Sequence, residues 1–373
     1  MPICVGVPKE LLAHERRVAL VPETVARLTK QNISVLIEKE AGQQAHYLDD
    51  AYQGVEICET SDLYQKATVF LKVQPPSLEE VEKLKSGDVV IGFMAPHNHL
   101  DLVAKMRDKN ITSFAMELIP RISRAQSMDV LSSQAAVAGY KAVLMAANMA
   151  SVFFPMLTTA AGTIRPSKVL IIGAGVAGLQ AIATAKRLGA MVEGYDIRPE
   201  TKEQVESLGA KFVDVGVNAK GEGGYARELT EEEKQQQRDV LAKHVAAANV
   251  VITTAAIPGR PSPKILPADM VENMAPGSII VDIAAEGGGN CELTQPGETI
   301  VHKDVTIHAP LNVPSQMPTH ASEMYSKNMF NFLSPMVKDG ELAIDWEDEI
   351  IAGSVLTHNG EVKHSATKKL LEQ

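Results

Sequence analysis

The sequence predicts an α/β protein made of two doubly wound parallel-sheet domains, the first of them discontinuous. Three observations carry this. From Met1 to about Pro120, short apolar runs alternate with helical patterns, which is the pattern of a parallel sheet covered by helices. A second alternation begins at Lys168, and two sheets that each need cover on both faces imply two domains. The tail after Pro314 is too short to fold alone, so it is expected to pack back on the first domain.

In the first alternation the strand candidates are Cys4–Val7, Ser34–Glu38, Thr68–Val73, Val89–Phe93 and Thr112–Ala115. Helices are expected at Pro22–Gln31 and Ser77–Lys85, because Pro22 suits a first helical turn and Ser77 an N-cap. A polar segment, Arg121–Gln134, leads into an Ala/Met-rich helix over Ala135–Met156. The second alternation has strand candidates Lys168–Ile172, Met191–Tyr195, Lys211–Val213, Val250–Thr253, Ser278–Ile283 and Val305–Ala309. In the tail, Ala321–Leu333 reads as an amphipathic helix, and Glu349–His358 is short and mixed. The domains are therefore expected at 1–133 plus 316–373 and at 134–315.

A chain of 373 residues with 45% hydrophobic and 22% charged residues has room and composition for two soluble cores. A net charge of −10 argues against nucleic-acid partners and against direct binding to an anionic membrane surface. Cys4, Cys58 and Cys291 are odd in number and far apart, so neither a disulfide framework nor a metal site is expected, and a reducing compartment fits. The run Cys4–Val7 reads as a strand, not as a signal peptide. The stretch from Ala135 to Gly162 carries Lys141 and Asn148 and is broken by Pro155, so it reads as a buried or interface helix and not a bilayer span.

The most informative segment starts at Lys168. The buried-strand run Lys168–Ile172 leads into Gly173-Ala-Gly175-Val-Ala-Gly178, and Leu179–Leu188 is helical. Gly173 allows a tight turn, Gly175 lets backbone approach a pyrophosphate, and Gly178 lets helix and strand sit close. The helix N-terminus offers amides and a positive dipole end to phosphate. The next strand ends in Tyr195-Asp196, 23 residues after Gly173, and an acidic group there favours NAD(H) over NADP(H) by accepting from the ribose hydroxyls. Arg198 works against that preference, since a nearby Arg can hold a 2′-phosphate. The expected domains are thus Rossmann-like.

The run Arg121-Ile-Ser-Arg-Ala-Gln-Ser-Met-Asp-Val-Leu-Ser-Ser-Gln134 resembles the signature loop of the proton-translocating nicotinamide nucleotide transhydrogenase family, in its NAD(H)-binding component. Ala160-Ala-Gly-Thr163, Gly173–Leu188, Thr253–Gly259 and Gly287–Cys291 match that family too, so the resemblance covers nearly the whole chain. It implies direct hydride transfer from NADH on this component to NADP⁺ on a partner component, coupled to proton translocation by membrane subunits. It also implies a homodimer, for which Ala135–Met156 offers a packing surface, and a cytoplasmic, peripheral position at the inner face of a bacterial membrane.

By motif, the resemblance places Arg121, Gln126, Asp129 and Ser132 beside the nicotinamide. It places Ala174, Gly175 and Val176 along the pyrophosphate, Ile197 and Arg198 beside the adenosine, and Ala256 after the fourth strand of the domain. Gly224 and Tyr225 align with the tip of a closing loop, and Gln237 with a nucleotide contact. Read from residue chemistry alone, Arg121, Arg124 and Asp129 can equally form an ion network at a helix start, with Ser127 as the cap. Gly287–Gly289 can be only a turn after a strand.

The fold is shared with alanine dehydrogenase, whose substrate arginine and lysine find counterparts at Arg17 and Lys72. His97 lies one or two places beyond the position of that enzyme's catalytic histidine and reads as a surface residue. The alternatives are therefore an amino-acid dehydrogenase that needs no partner and a nucleotide-binding regulatory subunit without catalysis.

Overall fold

The computed structural model describes residues 3–216, 229–256 and 259–372. The chain divides into two compact units, Met1–Gln134 with Ser315–Gln373, and Ala135–Pro314. Both are α/β units, and the first is discontinuous in sequence.

In the first unit six parallel strands come in turn: β1 (Cys4–Val7), β2 (Ser34–Glu38), β3 (Glu56–Cys58), β4 (Val69–Leu71), β5 (Val89–Gly92) and β6 (Thr112–Ala115). They lie side by side in the order β3-β2-β1-β4-β5-β6. The chain thus starts in the middle and winds outward both ways, which leaves a crevice at the carboxyl ends of β1 and β4. The C-terminal tail extends the sheet: Val355–His358 pairs antiparallel to β6, and Glu361–Val362 pairs antiparallel to it in turn. The sheet is therefore mixed, where a parallel one was expected. Val5, Val7, Val69, Leu71, Val89 and Ile91 form part of the core on one face, closed by Tyr325, Met329, Phe332 and Leu333 of helix Pro318–Leu333. Burial of that helix explains why the tail belongs to this unit.

The second unit repeats the winding. Its strands are β7 (Lys168–Ile172), β8 (Met191–Tyr195), β9 (Lys211–Phe212), β10 (Val250–Thr253), β11 (Ile279–Asp282), β12 (Thr299–His302) and β13 (Val305–His308), in the order β9-β8-β7-β10-β11-β13-β12. Among the described strands of this sheet only β12 is antiparallel. Strands β7, β10 and β11 read as unbroken apolar runs because both of their faces are covered. The switch point lies between β7 and β10.

Several element boundaries differ from the sequence reading. The candidate Thr68–Val73 shortens to Val69–Leu71, so Lys72 sits past the strand end. Ser77 does cap its helix, in a capping box with Glu80. The Ala/Met helix runs over Val130–Met149, earlier than expected, because Asp129 caps it: the Ser132 amide donates to Asp129 Oδ1 at 2.9 Å. The cap is thus Asp129 and not Ser127. The last third of the expected helix, residues 150–156, is irregular instead, and a short hairpin follows it, Leu157–Thr159 with Gly162–Ile164. By length and composition helix Val130–Met149 is apolar enough to cross a membrane, yet its Ala142, Val143 and Ala146 are fully buried in the second unit's core. Cys4, Cys58 and Cys291 are free thiols.

Candidate nucleotide-binding site

The glycine loop closes β7 onto helix Val176–Arg187. Gly173 has a φ of +96°, and a Cβ there would lie 2.6 Å from Thr254 Oγ1. A Cβ at Gly178 would lie 1.7 Å from the Gly173 carbonyl oxygen. Both positions therefore need glycine for the protein's own packing. Gly175 is different. Its backbone is extended, and a Cβ built on it would meet nothing nearer than Arg198 Nη2, at 4.0 Å. The missing side chain leaves open space in front of a helix N-terminus whose first amides no side chain caps. Ala174 is buried beneath the loop, and Val176 is exposed at its edge.

Asp196, at the end of β8, is buried, and all its acceptor capacity is in use. Oδ2 accepts from the Ala174 amide at 2.7 Å and from Arg198 Nη2 at 2.8 Å. Oδ1 accepts from the Arg198 amide and from Arg198 Nε, both at 2.9 Å. The sequence suggested two competing groups; the structure makes them one bidentate pair that also ties down the glycine loop. A ribose hydroxyl can reach Asp196 only if a present partner yields, and the partly exposed Arg198 guanidinium is the one able to move. Ile197 is half-buried beside it. Gln237, on helix Glu231–Ala247, donates to the Tyr195 hydroxyl at 2.6 Å and so braces the same strand end. Ala256 is exposed after β10. Gly224 and Tyr225 lie outside the described residues.

The Arg121–Gln134 segment belongs to the first unit. Arg121 and Gln126 are exposed, whereas Asp129 and Ser132 are half-buried and bound to one another: Ser132 Oγ donates to Asp129 Oδ2 at 2.6 Å. Residues distant in sequence hold this segment. Asn328 and Asn331 both donate to the Ser127 carbonyl, at 2.8 and 3.0 Å. Arg124 forks onto Asp348 at 2.6 and 3.1 Å. Gln134 accepts from Arg17 Nη1 at 2.8 Å and donates to the Ala321 carbonyl at 3.1 Å. None of these supports was anticipated, because pairings across 117 to 224 residues leave no local pattern.

At the first unit's own switch point the polar groups are satisfied internally. Arg17 binds both oxygens of Glu15, at 2.8 and 2.6 Å, and Gln74 Nε2 donates to the same carboxylate at 2.7 Å. Lys72 is buried and binds Glu80 at 2.7 Å, with Glu10 at 3.5 Å. Burial alone would lower the Lys72 ammonium, but the two carboxylates outweigh it and raise its pKa. Burial likewise opposes ionised Glu80, and Lys72 still draws its pKa below the usual carboxylate range. His97 is exposed, edge-on to His364 at 6.5 Å.

Comparison with known proteins identifies the family. Residues 6–138 match the N-terminal domain, and residues 142–365 the C-terminal domain, described as alanine dehydrogenase/PNT. The chain belongs to the alanine dehydrogenase/PNT family. It is 44% identical to the first part of the NAD(P) transhydrogenase subunit alpha of Rhodospirillum rubrum, over 97% of this chain and 98% of that one. Among solved structures, a transhydrogenase from Sinorhizobium meliloti superimposes with a TM-score of 0.89 at 43% identity, covering 96% of this chain and 99% of that one. An L-alanine dehydrogenase superimposes with a TM-score of 0.83 at 23% identity, over 99% of each chain, which speaks to the fold alone. The resemblance drawn from Arg121–Gln134 is thus borne out at the level of family and of transhydrogenase relatives. Within the family, this chain's Gly175 opening, Asp196–Arg198 pair and braced 121–134 segment are the features open to functional reading.

Proposed function

We propose that this chain is the NAD(H)-binding component of a proton-translocating transhydrogenase. When bound, NADH supplies the hydride that reduces NADP⁺ held by a partner component. The opening at Gly175 carries this reading: it is the one loop glycine whose missing side chain serves no contact within the protein, and it faces the uncapped start of a helix. Gly173, Ala174, Gly175, Val176 and Gly178 line the pyrophosphate. Asp196 accepts from the adenosine ribose once Arg198 turns away, with Ile197 alongside and Gln237 bracing Tyr195. Gly224, Tyr225 and Ala256 complete the nucleotide-binding set.

Arg121, Gln126, Asp129 and Ser132 orient the nicotinamide. Asp129 spends one lone pair of each oxygen on Ser132, and the remaining pairs can accept from a carboxamide NH₂. No group is required to exchange a proton at the reacting carbon. The residues have to align two rings at near-attack distance, roughly 3–3.5 Å, and keep water out. The functional domains are 1–133 plus 316–373 and 134–315. A homodimer is part of this reading, supported by the exposed apolar residues Val152, Phe153, Met156 and Ile164. So is a cytoplasmic position at the inner face of a bacterial membrane, reached through partner subunits.

The test mixes the protein with a soluble NADP(H)-binding component and follows hydride transfer between saturating NADH and an NADP⁺ analogue. Transfer that needs both components is expected. Its absence, or NADH formation from L-alanine without a partner, overturns the reading.

A further inference from the structure

The segment Gly287-Gly-Gly-Asn290-Cys291 follows β11, outside the glycine loop and the Asp196–Arg198 pair. Asn290 is fully buried after β11, and its side chain is spent largely on one neighbour. Its Oδ1 accepts from the Ala255 amide at 2.9 Å, and its Nδ2 donates to the Ala255 carbonyl at 2.7 Å. It thus pairs with both backbone groups of Ala255, as an adjacent strand would. The second Nδ2 hydrogen goes to the Pro263 carbonyl at 2.9 Å, so every donor of the amide is engaged.

The rest of the segment serves to put Asn290 there. The Asn290 carbonyl accepts from the Ile265 and Leu266 amides at 2.8 and 3.0 Å. Next to it, the Cys291 amide and the Thr294 hydroxyl both donate to Asp282 Oδ2, at 3.0 and 2.6 Å. Gly289 has a φ of +82°, and a Cβ there would lie 2.5 Å from that same Asp282 oxygen. A side chain at this position would push the turn off its anchor.

Ala255 lies just past the carboxyl end of β10, and the neighbouring Thr254 hydroxyl donates to the Gly173 carbonyl at 3.0 Å. The loop held by Asn290 is therefore one wall of the switch-point crevice. Asp196 marks the adenosine side, at the end of β8. Strand β10 lies on the other side of β7, so its loop faces the opposite half of a dinucleotide.

We propose that Asn290 is a positioning residue that fixes the Thr254–Ala256 wall against the nicotinamide half of the nucleotide. This rests on reading the crevice as an NAD(H) site. Its signature is selectivity: loss of Asn290 weakens binding of the whole dinucleotide and leaves the adenosine half alone.

The experiment compares NADH with 5′-AMP, each titrated calorimetrically against wild type, Asn290→Ala and Asn290→Asp. The aspartate is the same size and keeps an acceptor for the Ala255 amide while losing both donors; it decides the matter if the alanine variant does not fold. The expected result is NADH dissociation raised about ten-fold or more with 5′-AMP changed less than about two-fold. Unchanged NADH affinity overturns the proposal. So does equal loss of both ligands, which would make Asn290 a general support of the unit. Wild-type protein that binds no NADH would overturn the site reading, and the proposal with it.

Discussion

Replacing Gly139 by alanine tests how tightly the nucleotide helix is seated. Gly139 lies in helix Val130–Met149, and a Cβ there would fall 2.0 Å from the Ala177 carbonyl oxygen and 2.8 Å from its carbon. Ala177 is the second residue of helix Val176–Arg187. Real Cβ atoms essentially never come within 3.0 Å of a neighbour, so the contact must open by about 1 Å. The obstacle is backbone and cannot rotate away, and Ala181 and Ile182 in the next turn of the same helix are fully buried, so the helix is held in place. Overpacking of this kind costs about 1–3 kcal/mol, which in a unit of this size lowers the unfolding midpoint by roughly 2–12 °C. The displaced turn is also the one proposed to present amides to the pyrophosphate, so on that reading NADH affinity should fall about ten-fold with it. Calorimetric unfolding and an NADH titration of the variant check both. A midpoint within about 1 °C of wild type, with unchanged affinity, would refute the claim that this helix contact seats the phosphate site.

Asp196→Asn removes the negative charge that disfavours a 2′-phosphate and loosens Arg198, so the preference for NADH over NADPH should shrink at least about ten-fold in competitive titration. Asn328→Ala with Asn331→Ala removes two hydrogen bonds to the Ser127 carbonyl, worth about 0.5–1.5 kcal/mol each. Trypsin should then cut faster after Arg121 and Arg124, and hydride transfer should slow at constant NADH affinity; unaltered proteolysis would count against the bracing. Burial raises the Glu117 pKa against the pull of the Met94 and Ala95 amides that its Oε1 accepts. A carboxyl raised in this way favours the fold while protonated and loses that contribution as pH climbs through its folded value. Glu117→Gln stays neutral, so its unfolding midpoint relative to wild type should rise as pH climbs above the usual carboxylate range; a constant difference would show that Glu117 does not titrate in this way.

The winding of both sheets was legible because buried parallel strands are continuous apolar runs, as in Lys168–Ile172 and Val250–Thr253. Glu56–Cys58 was not, since three residues carry no period. Thr299–His302 was missed because an antiparallel edge strand needs only partial burial and here mixes Thr and His with Ile and Val. Within the candidate site, the tight glycine turn and the placing of Asp196 at a strand end could be read because both are local features of the chain. The bidentate embrace of Asp196 by Arg198 was harder, although the two are neighbours, because sequence does not say which way a guanidinium folds. Asn290 left one faint trace, a polar residue closing a run of three glycines.

The two units share a winding pattern and differ in what fills the crevice that this pattern creates. In the second, glycines and helix amides line it, and nothing side-chain-sized enters at Gly175. In the first, Arg17 and Lys72 stand where a ligand acid would be sought, but Glu15 takes the Nε–Nη2 edge of the one, Gln134 takes its Nη1, and Glu10 and Glu80 surround the other. Breaking such buried pairs costs about 3–5 kcal/mol when one partner is left uncompensated. A substrate carboxylate would have to displace Glu15 to reach the Arg17 fork, and His97 is exposed, on the loop after β5. The same winding therefore supports a nucleotide site in one unit, while in the other its charges anchor Gln134 and through it the end of the 121–134 segment. That division of labour fits a component that aligns a nucleotide for a partner better than it fits a dehydrogenase with its own amino-acid substrate.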